Sequence, residues 1–249
     1  MTAAETPPAK QPWDWRALVA EHLPNMAALV TEHSALLSNL FRAKQQRLLV
    51  ESLYSSWAGP GEGRPFLIEA NIGVFYSVHQ PPLVPDVVLS VDAQWSDDVW
   101  TKTKHAYCIW DYGKIPEVVI DMITDQHSPK GEHKFHDYAW VGIPFCIVVD
   151  PTGQLGAEPL RVYIRDGRKY DRLTDGWFAS LGLGVTLWQG VYEGLGRTWL
   201  RWCDQAGNVL PTGAERAAAA EQRATQAHQR AERLAAQLRA LGVEPQEAS

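Results

Sequence analysis

Two acidic residues stand where a charge is hard to keep. Asp86 follows Pro85 in LVPDVVLSVD (83–92), and Asp121 lies within EVVIDMIT (117–124), each among valine, leucine, isoleucine or methionine. An unpaired carboxylate in an apolar strand is costly, so such a residue caps a turn, pairs with a cation or holds a metal. If the two strands are neighbours, the carboxylates converge at one edge and can ligate a hard cation such as magnesium through oxygen. A third group comes from HSPKGEHKFHDYAWVG (127–142), where Tyr138 and Val141 stand four and seven residues after Lys134. That spacing puts Lys134 partly on the inner side of a helix and aims its ammonium at the sheet. A lysine beside a carboxylate-bound metal can orient a water or stabilise the charge that develops at a scissile phosphate. Taken singly, each residue has a plainer reading: Asp86 closes a strand end, and Lys134 snorkels to solvent. Their order on a strand, a strand and the following helix favours a site.

The elements that must position these groups are legible in outline. Residues 26–57 place Leu29, Leu36, Leu37, Leu40 and Phe41 at helical spacing, which predicts an amphipathic helix packed on a sheet, with a break before Leu48. GPGEGRP (59–65) forces a loop. Apolar segments at 66–77, 83–92, 117–124, 145–150 and 160–165, bounded by Pro, Gly or Asp, read as strands. The helix around Lys134 falls between the third and fourth of these, which implies a parallel pair joined by a right-handed crossover. Segments 167–173, 185–194 and 197–204 read as shorter strands or hairpins. Trp110, Trp140, Trp188 and Trp199 sit among apolar neighbours and are expected in the core.

From Phe66 to Pro151 the chain carries ANIGVFY, the Pro85-Asp86 pair, YCIWDYGKIPEVVIDMIT and KFHDYAWVGIPFCIVVDP. In this order it resembles the Uma-type restriction-endonuclease-like family of the PD-(D/E)XK nuclease superfamily. The resemblance implies an α/β fold with a restriction-endonuclease-like mixed sheet flanked by helices. It makes Asp86 and Asp121 the metal ligands, lets the Met122 carbonyl complete the coordination, and makes Lys134 the catalytic lysine. The cofactor it implies is Mg²⁺, with Mn²⁺ as a substitute, and the substrate it points to is DNA. The chain also departs from the family pattern. Asp121 stands where Glu is usual, Ile123 where the superfamily's lysine follows the acid, Thr124 for a common Ser, and His133 where Glu often precedes the lysine. Activity therefore requires a lysine supplied from the helix.

Composition adds both support and tension. The chain has 249 residues, 45% of them hydrophobic, enough to bury a full core, and a net charge of -6. A nucleic-acid binder usually shows a basic face, so the acid excess favours the rival reading, a catalytically silent scaffold acting as a binding or assembly module. Lys102, Lys104, Lys114 and Lys130 flank the motifs, and the nuclease reading expects them to rim the cleft. Whether Glu32, Glu51 or Glu69 adds a ligand stays open. His133 and His136 have no partner at a metal-site spacing, so a solvated helix face is expected there. No Gly-x-Ser-x-Gly elbow or phosphate-binding glycine loop occurs. Cys108, Cys146 and Cys203 are odd in number and widely spaced, so they are expected as buried free thiols. With no run of about 18 apolar residues and no secretory leader in the opening segment, a cytoplasmic location without membrane association is expected.

Residues 1–212 are read as the nuclease-like domain and 213–249 as a helical tail. From 213 onward five arginines balance five glutamates, so the body carries the whole acid excess. Ala220, Ala224, Ala227, Ala231, Leu234, Leu238 and Leu241 recur in steps of four and three, the a/d seam of a coiled coil. The tail is thus either a solvated single helix or a homodimer contact, and the core domain offers a second route to a dimer.

Overall fold

The computed structural model describes residues 40–61, 63–94, 106–123, 130–151 and 153–242, with the backbone alone for 130–133. Leu29, Glu32, Leu36, Leu37, Lys102, Lys104 and Thr124 lie outside the described residues, as do the side chains of Lys130 and His133. Six strands form one mixed sheet in the order β1 (Phe66–Ala70), β3 (Val87–Val91), β5 (Val118–Met122), β6 (Phe145–Val149), β7 (Leu160–Asp166) and β8 (Lys169–Arg172). All neighbours are antiparallel except β5 and β6, the parallel pair expected around the crossover helix α3 (Lys130–Val141). A two-stranded parallel pair, β2 (Val74–Phe75) with β4 (Tyr107–Cys108), stands apart from it, and one turn of helix, α2 (Ile109–Tyr112), follows β4.

Strand alternation sorts the core into two layers. Val87, Leu89, Val91, Ile120 and Met122 face Leu49 and Leu53 of helix α1 (Leu40–Ser56), together with Phe178, Leu183, Leu200 and Trp202 from a second sheet. Val88, Val119 and Cys146 face the other way, towards Tyr138 of α3 and Tyr107 of β4. Asp121, two residues after Val119, shares the α3 face. The buried positions of α1 (Gln45, Gln46, Leu48, Leu49, Ser52, Leu53) fall on one stripe at helical spacing. That helix runs unbroken through Leu48, against the expected interruption, because Leu48, Leu49 and Leu53 bury together on this stripe. Leu40, expected to face the sheet, is 84% exposed, since it falls off that stripe.

The second sheet, β11 (Leu195–Cys203), β10 (Leu183–Tyr192) and β9 (Trp177–Phe178), contains the two longest strands, where short ones were expected. Glu193 and Gly194 join β10 to β11, both at positive φ (44° and 75°), the two-residue primed turn whose twist suits a hairpin. Gln45 of α1 closes the open edge of β11, donating to the Leu200 carbonyl (2.8 Å) and accepting from its N–H (2.9 Å). Trp199 is fully buried, but Trp110 and Trp140 are about half exposed, contrary to expectation. Trp140 of α3 meets the edge of the Tyr76 ring and is otherwise largely open to solvent. The three cysteines are free and buried, as their spacing implied.

Helix α4 (Gly213–Ala240) begins at the expected tail boundary, and none of its residues is buried. Its start is held firmly: Thr212 and Glu215 form a reciprocal capping box. Glu215 also takes a two-pronged contact from Arg201 (2.7 and 2.9 Å), whose side chain is 1% exposed. Glu51, one of the acids weighed as an extra ligand, instead accepts from the Gly213 N–H at 2.8 Å.

Candidate metal centre

The pairing of β3 with β5 decides where the acids meet. Val87 lies opposite Ile120 and Val88 opposite Val119, so continuing the register by one residue sets Asp86 opposite Asp121. Asp86 is therefore not mid-strand, as expected, but immediately before β3, where the chain leaves Pro85 and enters the sheet. Asp86 is held there by residues of α1 and Asp121 by residues of α3, close enough for the Asp121 charge to act on the Asp86 carboxyl; like charges that near one another are unfavourable unless a cation intervenes.

Each carboxylate is already engaged. Asp86 Oδ2 accepts from the Met122 backbone N–H at 2.7 Å, and its Oδ1 accepts from Gln46 Nε2 at 3.0 Å and pairs with Arg42 Nε at 3.3 Å. Asp121 Oδ1 lies 3.2 Å from Lys134 Nζ, and its Oδ2 accepts from the Tyr138 hydroxyl at 2.8 Å. Lys134 and Tyr138 are one helical turn apart, so α3 presents both to the same carboxylate. The Lys134 ammonium also donates to the Val84 carbonyl at 2.8 Å, which ties the segment before Pro85 to the helix. The three residues picked out by their sequence context thus form one cluster.

Burial, and next the Asp121 carboxylate, push the Asp86 carboxyl up to about 6; Arg42, the Met122 N–H and Lys134 oppose this more weakly. Burial first, then Asp121, hold the Tyr138 phenol well above its ordinary range, so it stays protonated and acts as a donor. Cys146 behind the site is held up in the same way, by burial, and is no nucleophile.

Two carboxylates and a backbone carbonyl are the hard oxygen donors that Mg²⁺ takes, with water filling the remaining positions. The donor types therefore fit. The Met122 carbonyl, however, accepts from Arg42 Nη2 at 2.6 Å, so a guanidinium bridges two of the oxygens the ion would need. Among the described residues no group of three or more His, Cys, Asp or Glu could hold a metal, so those residues would supply two acidic ligands at most.

Sequence reasoning missed Arg42, Gln46 and Asn71. Gln46 and Asn71 exchange amide hydrogen bonds (2.8 and 3.0 Å), and Asn71, at φ 55°, donates its N–H to the Asp86 carbonyl at 3.1 Å. Asparagine tolerates that left-handed conformation better than most residues. Of the four lysines expected to rim the cleft, Lys114 is the one with a described side chain, and it is placed elsewhere. Its ammonium binds Glu117 (2.7 Å) and the Val91 carbonyl, at the far end of β3 and about 17 Å along the strand from Asp86. Glu69, another candidate ligand, accepts weakly from the Tyr54 hydroxyl at 3.4 Å.

The chain matches no protein-family model and no curated protein. Among the described residues no helix is long and apolar enough to cross a membrane.

Proposed function

We propose that this protein is a Mg²⁺-dependent endonuclease that hydrolyses phosphodiester bonds, with DNA as substrate, on a restriction-endonuclease-like fold. The observation that carries the reading is the meeting of Asp121, Lys134 and Asp86 at one sheet end, with an ammonium 3.2 Å from a carboxylate that lies opposite a second one. In that arrangement Asp86, Asp121 and the Met122 carbonyl would hold the ion. Bound there, the ion would supply Lewis-acid stabilisation and a more acidic water. Lys134 would orient that water or meet the developing phosphate charge, and the Tyr138 hydroxyl would fix the Asp121 carboxylate. The reduced, buried cysteines accord with a cytoplasmic protein.

The test is plasmid nicking in Mg²⁺ or Mn²⁺ against an EDTA control. Cleavage should vanish with EDTA and fall about 10²-fold in Lys134→Ala, the usual effect of removing one electrostatic stabiliser. A folded protein that takes up no metal even with DNA present would refute the reading. It would favour the second one, an inert scaffold that binds or assembles through its tail, for which the Arg42 bridge and the acidic body speak.

Under either reading we propose that α4 pairs two copies. Leu234, Leu238 and Leu241 are exposed along one seam, and the flanking positions choose the orientation. Arg216, Arg223 and Arg230 form one flank and Glu221 and His228 the other. An antiparallel pair would oppose arginine to arginine, whereas a parallel pair sets Arg216 against Glu221. Cutting the tail away would strand the buried Arg201 charge, so a point change is the cleaner probe. Leu234→Lys with Leu238→Lys should halve the mass seen in sedimentation without altering the melt of the body; an unchanged mass would exclude this contact.

A further inference from the structure

Arg42 is the one cation that α1 sends to the acids. Its Nη2 donates to the Met122 carbonyl at 2.6 Å and its Nε lies 3.3 Å from Asp86 Oδ1, while Gln46, one turn further along the same helix, holds that oxygen at 3.0 Å. A guanidinium is a rigid, planar fork with several donors, and here it spans a carboxylate and a carbonyl as a divalent ion would. With Lys134 on Asp121, two carboxylates face two cationic side chains, so the described groups of the cluster balance in charge without metal. A divalent ion on the same two oxygens would stand within a few ångströms of the guanidinium. Both cannot stay. The Arg42 side chain is 24% exposed, so it has a path to solvent that the Asp86 carboxylate, at 6%, lacks.

We infer that Arg42 is an internal counter-ion occupying the cation position between Asp86 and the Met122 carbonyl, and that a divalent metal binds by displacing it. This inference rests on the metal-site reading above. It makes Arg42 a positioning residue that sets metal affinity: the oxygens are kept in place and desolvated in the empty site, and apparent affinity is reduced by the fraction of molecules in which Arg42 is bound.

Calorimetric Mn²⁺ titration at pH 8 of the full chain, Arg42→Ala, Arg42→Lys and Arg42→Ala with Asp121→Asn tests it. Arg42→Ala should bind about tenfold more tightly than the wild type. Arg42→Lys, which cannot span both oxygens, should fall between them, and the double variant should bind nothing. An Arg42→Ala protein that melts cooperatively yet binds no more tightly than the wild type would overturn the displacement while leaving a metal site standing. No binding by any of the four would overturn both readings. A second readout needs no variant to fold other than the one used for assignment. In ¹⁵N-labelled wild type, identified by comparison with Arg42→Lys, the Arg42 Nε–H resonance should shift and exchange faster with solvent at Mg²⁺ saturation. A resonance that keeps its place and protection at saturation would overturn the displacement even if the alanine variant cannot be made.

Discussion

Asp121→Asn is expected to abolish divalent-metal binding and to lower DNA cleavage by about 10³-fold or more, with little change in stability. The size follows from losing the several kcal/mol that a bound metal contributes to the transition state, at about 1.4 kcal/mol per tenfold in rate. The fold should survive because the amide has the shape of the carboxylate and keeps one oxygen for the Tyr138 hydroxyl, now 2.8 Å from Oδ2. Asp121 is also the partly open member of the pair, 14% exposed against 6% for Asp86, so its charge is the less committed to holding the sheet together. Calorimetry with Mn²⁺ beside a nicking assay reads both effects. Retained metal binding in a folded Asp121→Asn protein would remove Asp121 from the ligand set.

Asp86 should behave differently, because its carboxylate is a structural acceptor as well as a candidate ligand. Asp86→Ala leaves the Met122 N–H and the Gln46 amide without that acceptor and removes the carboxylate paired with the Arg42 guanidinium. At about 1–3 kcal/mol for a buried unsatisfied group, a loss of about 3 kcal/mol is expected, a large part of a typical domain's stability. Asp86→Asn keeps an oxygen for the Met122 N–H and should cost about 1 kcal/mol. Lost metal binding in the alanine variant would thus mix folding with chemistry, and the asparagine variant separates them. Asp86 also makes a pH prediction for the protein in EDTA. Its folded value of about 6 lies above the 3.8 of the exposed group, so between the two the native state binds a proton that the unfolded state does not. Stability from this residue is present below about pH 4 and is lost as pH rises through 6, by about 3 kcal/mol at most. Urea melts at pH 4.5, 5.5 and 7 should show the wild type falling relative to Asp86→Asn across that range; a flat or rising difference would contradict it. Divalent metal should offset the fall, since it binds the ionised form.

The sequence by itself determined the strand, helix and strand around the acids, the parallel crossover and the tail helix beginning at Gly213, and it singled out Asp86, Asp121 and Lys134, which the structure brings near one another. Those features follow from local rules: an acid amid valines is conspicuous, and a 3.6-residue period places Lys134 and Tyr138 on one helical face. Tertiary structure alone decided the rest. That Asp86 faces Asp121 depends on a one-residue choice of register between strands some thirty positions apart, set by which face of each strand is buried. Arg42 and Gln46 reach the acids only because α1 packs across the sheet, 80 residues from Met122 in the chain, and nothing in its local pattern marks an arginine as a counter-ion. Lys114 lies near the motifs in sequence but at the opposite end of β3 in space, since five extended residues carry the chain about 17 Å. Side-chain type and period are written locally; which groups share a charge is fixed by packing between segments distant in the chain.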